Sequence, residues 1–316
     1  MKAFYCQSYG GADVMRHGEL PAPTAGRGQV LVRVQAASIN PLDWKIRQGD
    51  FRLLTGRRFP KVLGADVAGV VEALGPGASG LVVGQRVYGV MPIFLGRQGA
   101  HAELVTLAAK RLRPLPEGWS FEQAAALPVA ALTALNGLRR CGALKDRAVL
   151  VNGATGGVGH LAVQLAKARG ARVTGVCSAR NAERARALGC EQVVDYRQQS
   201  LAELGRAFDV IFDAYGLLGF TRAATALTAS GHYATTLPTP GVMLHALWRR
   251  VLGGQQIVGA NMRARGEDYD ELQQLVTSGA LRPIVEQVFP LAEAAQAFAL
   301  AERGGAVGKI VLRLGG

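Results

Sequence analysis

The sequence predicts an α/β protein made of a β-rich unit and a doubly wound parallel-sheet domain. Three observations carry that expectation. Residues 148–260 alternate apolar strand runs with helical segments. Residues 1–119 carry short β-like runs among glycine and proline, with no regular alternation of helices. One strand, 148–151, passes through a glycine-rich turn directly into an amphipathic helix. With 316 residues, 49% of them hydrophobic, the chain is long enough for two cores.

In chain order, the β-like runs are 2–6, 30–37, 67–74, 85–90 and 101–107. Composition changes at Pro114-Leu115-Pro116-Glu117-Gly118-Trp119-Ser120, where Ser120 caps a helix with Gln123 three residues behind it. A second helical run, 130–140, leads to strands at 148–151, 172–176, 192–195, 208–213, 232–236 and 256–260. The tail, with a strand at 285–290, a helix at 292–303 and a strand at 309–314, returns to the first pattern and is expected to complete the first unit. The expected divisions are 1–119, 120–262 and 263–316.

The turn after the first parallel strand is Ala154-Thr155-Gly156-Gly157-Val158-Gly159. A pyrophosphate lies against backbone only where side chains are absent, and the N–H groups of a new helix then face its charge. The helix that follows carries Val158, Leu161, Ala162, Leu165 and Ala166 on one face and stops at Gly170. A glycine-rich turn before an ordinary helix explains each piece alone, but strand, turn, helix and second strand agree on a dinucleotide site. The second strand ends at Cys177, where an NAD site places an acid for the ribose diol. Here Ser178 and Arg180 follow it, a hydroxyl and a guanidinium that suit a 2′-phosphate. The expected cofactor is therefore NADPH.

The net charge of +13 raises the question of an anionic partner, but the arginines occur in scattered pairs such as Arg57-Arg58, Arg139-Arg140 and Arg249-Arg250. A basic solvated surface and an anionic cofactor account for the charge, and no specific nucleic-acid binding is expected. No apolar run approaches the roughly 20 residues of a membrane span, and the chain opens as a strand, so a cytoplasmic protein is expected. Cys6, Cys141, Cys177 and Cys190 form no C-x-x-C and read as reduced thiols.

Several segments, in this order and spacing, resemble the medium-chain dehydrogenase/reductase superfamily across essentially the whole chain. They are residues 38–45 (SINPLDWK), 63–69 (LGADVAG), 126–134 (ALPVAALTA), the glycine loop, Val194-Asp195-Tyr196, and 307–311 (VGKIV). The pattern is most similar to the zinc-independent quinone oxidoreductase and alkenal/enone reductase branch. The resemblance implies a GroES-like β-rich catalytic domain and a Rossmann domain. It also implies a homodimer, common in the family.

The same resemblance places Asn40 beside the nicotinamide and its ribose, with Thr133 on the nicotinamide side. Ala214, Tyr215, Leu237 and Ala260 fall at strand ends on the cofactor face, and Tyr196 lies near the adenosine phosphate or is simply a half-buried aromatic. Zinc-dependent members bring a cysteine, a histidine and a second cysteine or acid to the metal. The matching positions here are Asn40, Ala65 and Val129, so no metal site is expected. Lys45 is the polar candidate at the acceptor, as donor to an enolate oxygen or as a phosphate contact; a solvated lysine is the plainer reading. Asp43 is expected to orient Lys45 or cap its turn. Residues 88–99 and 241–254, with Leu244, Trp248 and Arg249, are candidates for the acceptor lining or for a dimer surface. The expected activity is hydride transfer from NADPH to quinones or to the conjugated C=C of enones and enals. The alternative is an NADPH-binding regulatory or RNA-binding protein with little or no turnover.

Overall fold

The computed structural model describes residues 1–92, 94, 98–237, 241, 242, 244, 246 and 253–315. Contacts divide the chain into two units, Met1–Val129 with Pro283–Gly316, and Ala130–Arg282.

In the first unit, β1 (Lys2–Cys6) runs antiparallel to β2 (Met15–Glu19) and to the short β4 (Lys61–Val62). The main sheet contains β3 (Gln29–Ser38), β5 (Asp66–Leu74), β6 (Arg86–Val90), β7 (Leu104–Ala108), β8 (Leu112–Pro114), β15 (Val285–Pro290) and β16 (Lys309–Arg313). Its order is β15-β16-β3-β5-β6-β8, with β7 also paired to β3. Alternate residues of β3, Val30, Val32, Val34 and Ala36, are buried, the period of two that a one-sided strand requires. Gly69 in β5 has no substitute, because a Cβ there would collide with the carbonyl of Arg33 on β3. Helices α1 (Pro41–Gln48), α2 (Arg52–Thr55) and α3 (Phe121–Ala125) interrupt the strands. Ser120 and Gln123 cap α3 reciprocally: Gln123 N donates to Ser120 Oγ (3.2 Å) and Ser120 N to Gln123 Oε1 (3.0 Å).

The second unit is a six-stranded parallel sheet of β9 (Ala148–Asn152), β10 (Arg172–Cys177), β11 (Gln192–Asp195), β12 (Phe208–Asp213), β13 (Leu227–Thr235) and β14 (Gln256–Gly259). Their order is β11-β10-β9-β12-β13-β14. The helices of the chain from here on are α4 (Pro128–Arg139), α5 (Gly159–Ala168), α6 (Ala182–Leu188), α7 (Phe220–Ala226), α8 (Gly266–Thr277) and, in the first unit, α9 (Ala294–Arg303). Leu150, Val176, Phe208, Ile211 and Tyr233 form part of one buried cluster in this unit. Full burial of side chains of this size stabilises by about 1.5–3 kcal/mol each.

Strand order reverses between β9 and β12, which makes the crevice beyond their carboxyl ends the ligand-binding edge of such a sheet. Register aligns that edge. Asn152 stands opposite Val176 on one side and Asp213 on the other, Asp213 opposite Thr235, and Thr235 opposite Gly259.

The units divide at 129/130 and 282/283 rather than at 119/120 and 262/263. Helix α3 packs on β3 and β5 of the first unit. Helix α8 is held in the second by Asp268 and Glu271, which pair with Arg139 and Arg169. Strand β13 begins at Leu227, ahead of the expected 232, and residues 228–231 stay in the strand through a register shift opposite Phe208/Val210.

Candidate active site and dinucleotide-binding edge

In the second unit, the expected cofactor residues cluster immediately past the aligned strand ends. Gly153 adopts φ +76°, a left-handed conformation that side chains disfavour, and turns the chain out of β9. A Cβ at Gly159 would collide with the carbonyl of Gly153, so only glycine lets α5 start this close to the strand. Gly156 N donates back to Gly153 O (3.0 Å). The N–H groups of Thr155, Gly157 and Val158 find no acceptor among the described residues. Small residues around donors at a helix start are what a pyrophosphate needs, so this loop fits the dinucleotide that its sequence implies.

The same edge is tied together by a residue without an obvious sequence signature. The buried Asp213 carboxylate, at the end of β12, accepts from Asn152 Nδ2 (2.8 Å), Gly216 N (2.9 Å), Leu218 N (3.0 Å) and Tyr233 Oη (2.8 Å). Four neutral donors hold one charge inside the protein. Burial, then the adjoining carboxylate, pushes the Tyr233 hydroxyl well above its ordinary pKa. Thr236 Oγ1 donates to Ala214 O (3.2 Å), Leu237 N to Thr235 Oγ1 (3.2 Å) and Ala260 N to Thr235 O (2.7 Å). Ala214, Leu237 and Ala260 are thereby fixed on one edge, with Tyr215 exposed beside them. Thr133 is buried on α4. Cys177 does end β10, followed by the buried Ser178 and the exposed Arg180. Tyr196 is 57% exposed, not half-buried, and the cation of Arg197 lies over its ring at 5.7 Å.

In the first unit, Asn40 caps α1, with Pro41 at the first helical position. Asp43 does not orient Lys45. Its Oδ2 accepts from Asn40 N (2.7 Å) and its Oδ1 from Gly64 N (3.1 Å), so it fastens the helix start to the segment before β5. Burial raises its pKa to about 7 against those two donors. The Lys45 side chain is half-buried and makes no hydrogen bond or ion pair with a described residue, so the structure does not join it to Asn40.

Asn40 instead belongs to a buried polar cluster around Asp66. Asp66 Oδ2 accepts from Ser38 Oγ (2.6 Å) and Asn40 Nδ2 (2.9 Å), and Oδ1 accepts from Val129 N (2.7 Å). Lys309 Nζ lies 3.6 Å from Asp66 Oδ2 and donates to Asn40 Oδ1 (2.5 Å) and Ile39 O (3.1 Å). Burial lowers the Lys309 pKa, opposed by Asp66 and Asp43. His101 closes the cluster, donating from Nε2 to Ser38 O (3.3 Å), and burial pushes its pKa down to about 4. Asp66 and Lys309 lie within the segments 63–69 and 307–311, which by themselves assign them no partner. The available signal was a charge heading an otherwise apolar strand, which must find a partner once buried.

The three positions that match zinc ligands thus carry an amide, a methyl and an isopropyl group. Asn40 and the Val129 backbone turn to Asp66 rather than to a metal. Among the described residues no group of three His, Cys, Asp or Glu side chains could hold a metal ion, and this donor set does not fit zinc. No helix among them is long and apolar enough to cross a membrane. Of the candidate acceptor lining, Ile93, Leu95–Arg97, Met243, His245, Leu247–Arg250, Val251 and Leu252 lie outside the described residues.

Residues 26–117 match the family described as alcohol dehydrogenase GroES-like domain, and residues 188–312 that described as zinc-binding dehydrogenase. The chloroplast envelope quinone oxidoreductase homolog of Arabidopsis thaliana is 34% identical over 99% of this chain and 98% of its own length. The chloroplastic NADPH-dependent alkenal/one oxidoreductase of the same plant is 34% identical over 99% of this chain and 79% of its own length. The solved quinone oxidoreductase from Coxiella burnetii superimposes with a TM-score of 0.90 at 30% identity, covering 100% of this chain and 99% of that one.

Proposed function

The chain belongs to the medium-chain dehydrogenase/reductase superfamily, in its zinc-independent quinone oxidoreductase and alkenal/enone reductase branch, and from that premise we propose that it reduces quinones or the conjugated C=C of enones and enals with NADPH. The observation that carries this reading is the residue set Asn40, Ala65 and Val129, which offers no metal to polarise an alcohol or an isolated carbonyl. A conjugated acceptor does not need one, since it spreads the incoming charge onto its own oxygen. When bound, the nicotinamide supplies the hydride.

The residues of the chain bind and orient. The N–H groups of Thr155, Gly157 and Val158 meet the pyrophosphate, while Ser178 and Arg180 receive the 2′-phosphate. Asp213 holds the backbone of Ala214 and its neighbours at the position that the ribose and carboxamide require. Asn40 and Lys45 are the polar groups assigned to the acceptor, with Thr133 beside the nicotinamide.

A panel of quinones, enones and enals, with NADPH and NADH compared and products analysed, tests the proposal. Oxidation of NADPH with a saturated ketone or hydroquinone as product is expected. Salt-sensitive RNA binding without turnover on any acceptor overturns it.

A further inference from the structure

We infer that Lys309 is a positioning residue for the proposed reduction: its ammonium, held by Asp66, fixes and polarises the Asn40 carboxamide, whose remaining N–H then donates to the acceptor oxygen where charge develops. The inference rests on the reading of the activity given above. Its starting point is that the orientation of this amide is unambiguous. Asn40 Oδ1 faces the Lys309 ammonium at 2.5 Å and Nδ2 faces the Asp66 carboxylate at 2.9 Å, so a flipped amide would set like against like at both ends. One Nδ2 hydrogen goes to Asp66, and the second has no acceptor among the described residues.

Backbone fixes the rest. Asn40 N is held by Asp43, and Lys309 is also bound to Ile39 O. Gly308 has φ +77°, and a Cβ there would collide with the Ile284 carbonyl, so the chain enters β16 along one path and delivers Lys309 into the cluster. A cation on the oxygen of an amide draws electron density from its nitrogen and strengthens the N–H as a donor, and it does so most in a dry interior. Lys309 and Asp66 are 4% and 0% exposed. A donor set in place beforehand and aimed at a developing oxyanion is the form of catalysis open to a site without a metal.

Single-turnover reduction of one enone by the NADPH-loaded enzyme tests the inference, using Lys309→Met, Lys309→Gln, Asn40→Ala and the Asn40→Ala/Lys309→Met double variant. Lys309→Met should slow transfer by about tenfold or more. Lys309→Gln, which keeps a neutral donor, should slow it less, with the NADPH Kd within about twofold in both. The double variant should be no slower than Asn40→Ala alone. Slowdowns that multiply, or wild-type transfer in Lys309→Met, overturn the inference. Should Lys309→Met fail to fold, Asp66→Asn/Lys309→Met removes both charges and enters the same cycle with Asn40→Ala. Turnover of no acceptor by the wild-type protein sinks the proposed activity instead. The Asn40 side-chain 15N resonance then still reports on the contact: a shift in Lys309→Gln supports it, and an unmoved resonance overturns it.

Discussion

Tyr233 donates its hydroxyl to Asp213 at 2.8 Å from the adjacent strand, so two neighbouring strands of the parallel sheet share one buried carboxylate at the edge proposed for the dinucleotide. Removing the hydroxyl leaves the carboxylate with three donors. Tyr233→Phe should lose about 1–3 kcal/mol in chemical denaturation. It should also weaken cofactor binding, since the loop from Ala214 to Leu218 hangs on the same carboxylate. Unchanged stability and cofactor affinity would show that the fourth donor is dispensable.

Arg180→Ala should weaken NADPH binding by about 1–3 kcal/mol and NADH binding much less, because a charged hydrogen bond to the 2′-phosphate is lost. Fluorescence titration with both cofactors decides. Equal losses would reassign Arg180.

The purified protein should contain no stoichiometric zinc and keep its turnover after chelation, as the side chains at Asn40, Ala65 and Val129 require. Elemental analysis and chelator-treated assays check this; a zinc whose removal stops turnover and whose return restores it contradicts it.

Asp43 makes stability depend on pH in a defined direction. Its pKa rises from 3.8 to about 7 on folding, so between those values the folded protein holds a proton that the unfolded chain has released. Stability from this group therefore falls as pH rises from about 4 to 7 and levels above. His101, depressed from 6.5 to about 4, works the opposite way over pH 4–6.5, because there the unfolded chain binds the extra proton. Comparison with Asp43→Asn cancels the histidine. The stability of the wild type relative to Asp43→Asn should decline across this window, measured by urea unfolding at each pH; a flat difference refutes it.

Lys45→Met should leave stability within about 0.5 kcal/mol, as its side chain holds no described partner. It should lower enone turnover at unchanged NADPH affinity. Intact single-turnover transfer with weakened NADPH binding would make it a phosphate contact instead.

The parallel sheet and the glycine loop were legible because their signals are local. The run from Val149 to Gly159 carries a strand period, a turn and a helix period in sequence, and Phe208–Asp213 matched its expected bounds. The cluster around Asp66 was not legible, because its partners are distant: Asn40 and Lys309 lie 269 positions apart. No window of sequence pairs them, and each alone reads as a polar residue at the end of a strand. Asp213 escaped for a similar reason, since its donors come from three separate segments. Lys45 stands where the family resemblance implies an acceptor contact, but the side chain of Asn40 turns instead to Asp66 and Lys309.

Because β15 and β16 are the last of the described strands yet β16 pairs with β3, the order of synthesis matters. The ribosome makes Asp66 first, then all of Ala130–Arg282, and only then the lysine that neutralises it. At translation speeds of roughly 5–20 residues per second, that acid waits on the order of tens of seconds for its counterion. The second unit emerges complete while the first is still open. A chain broken off anywhere before Lys309 would have to bury Asp66 without the cation that faces it in the complete cluster.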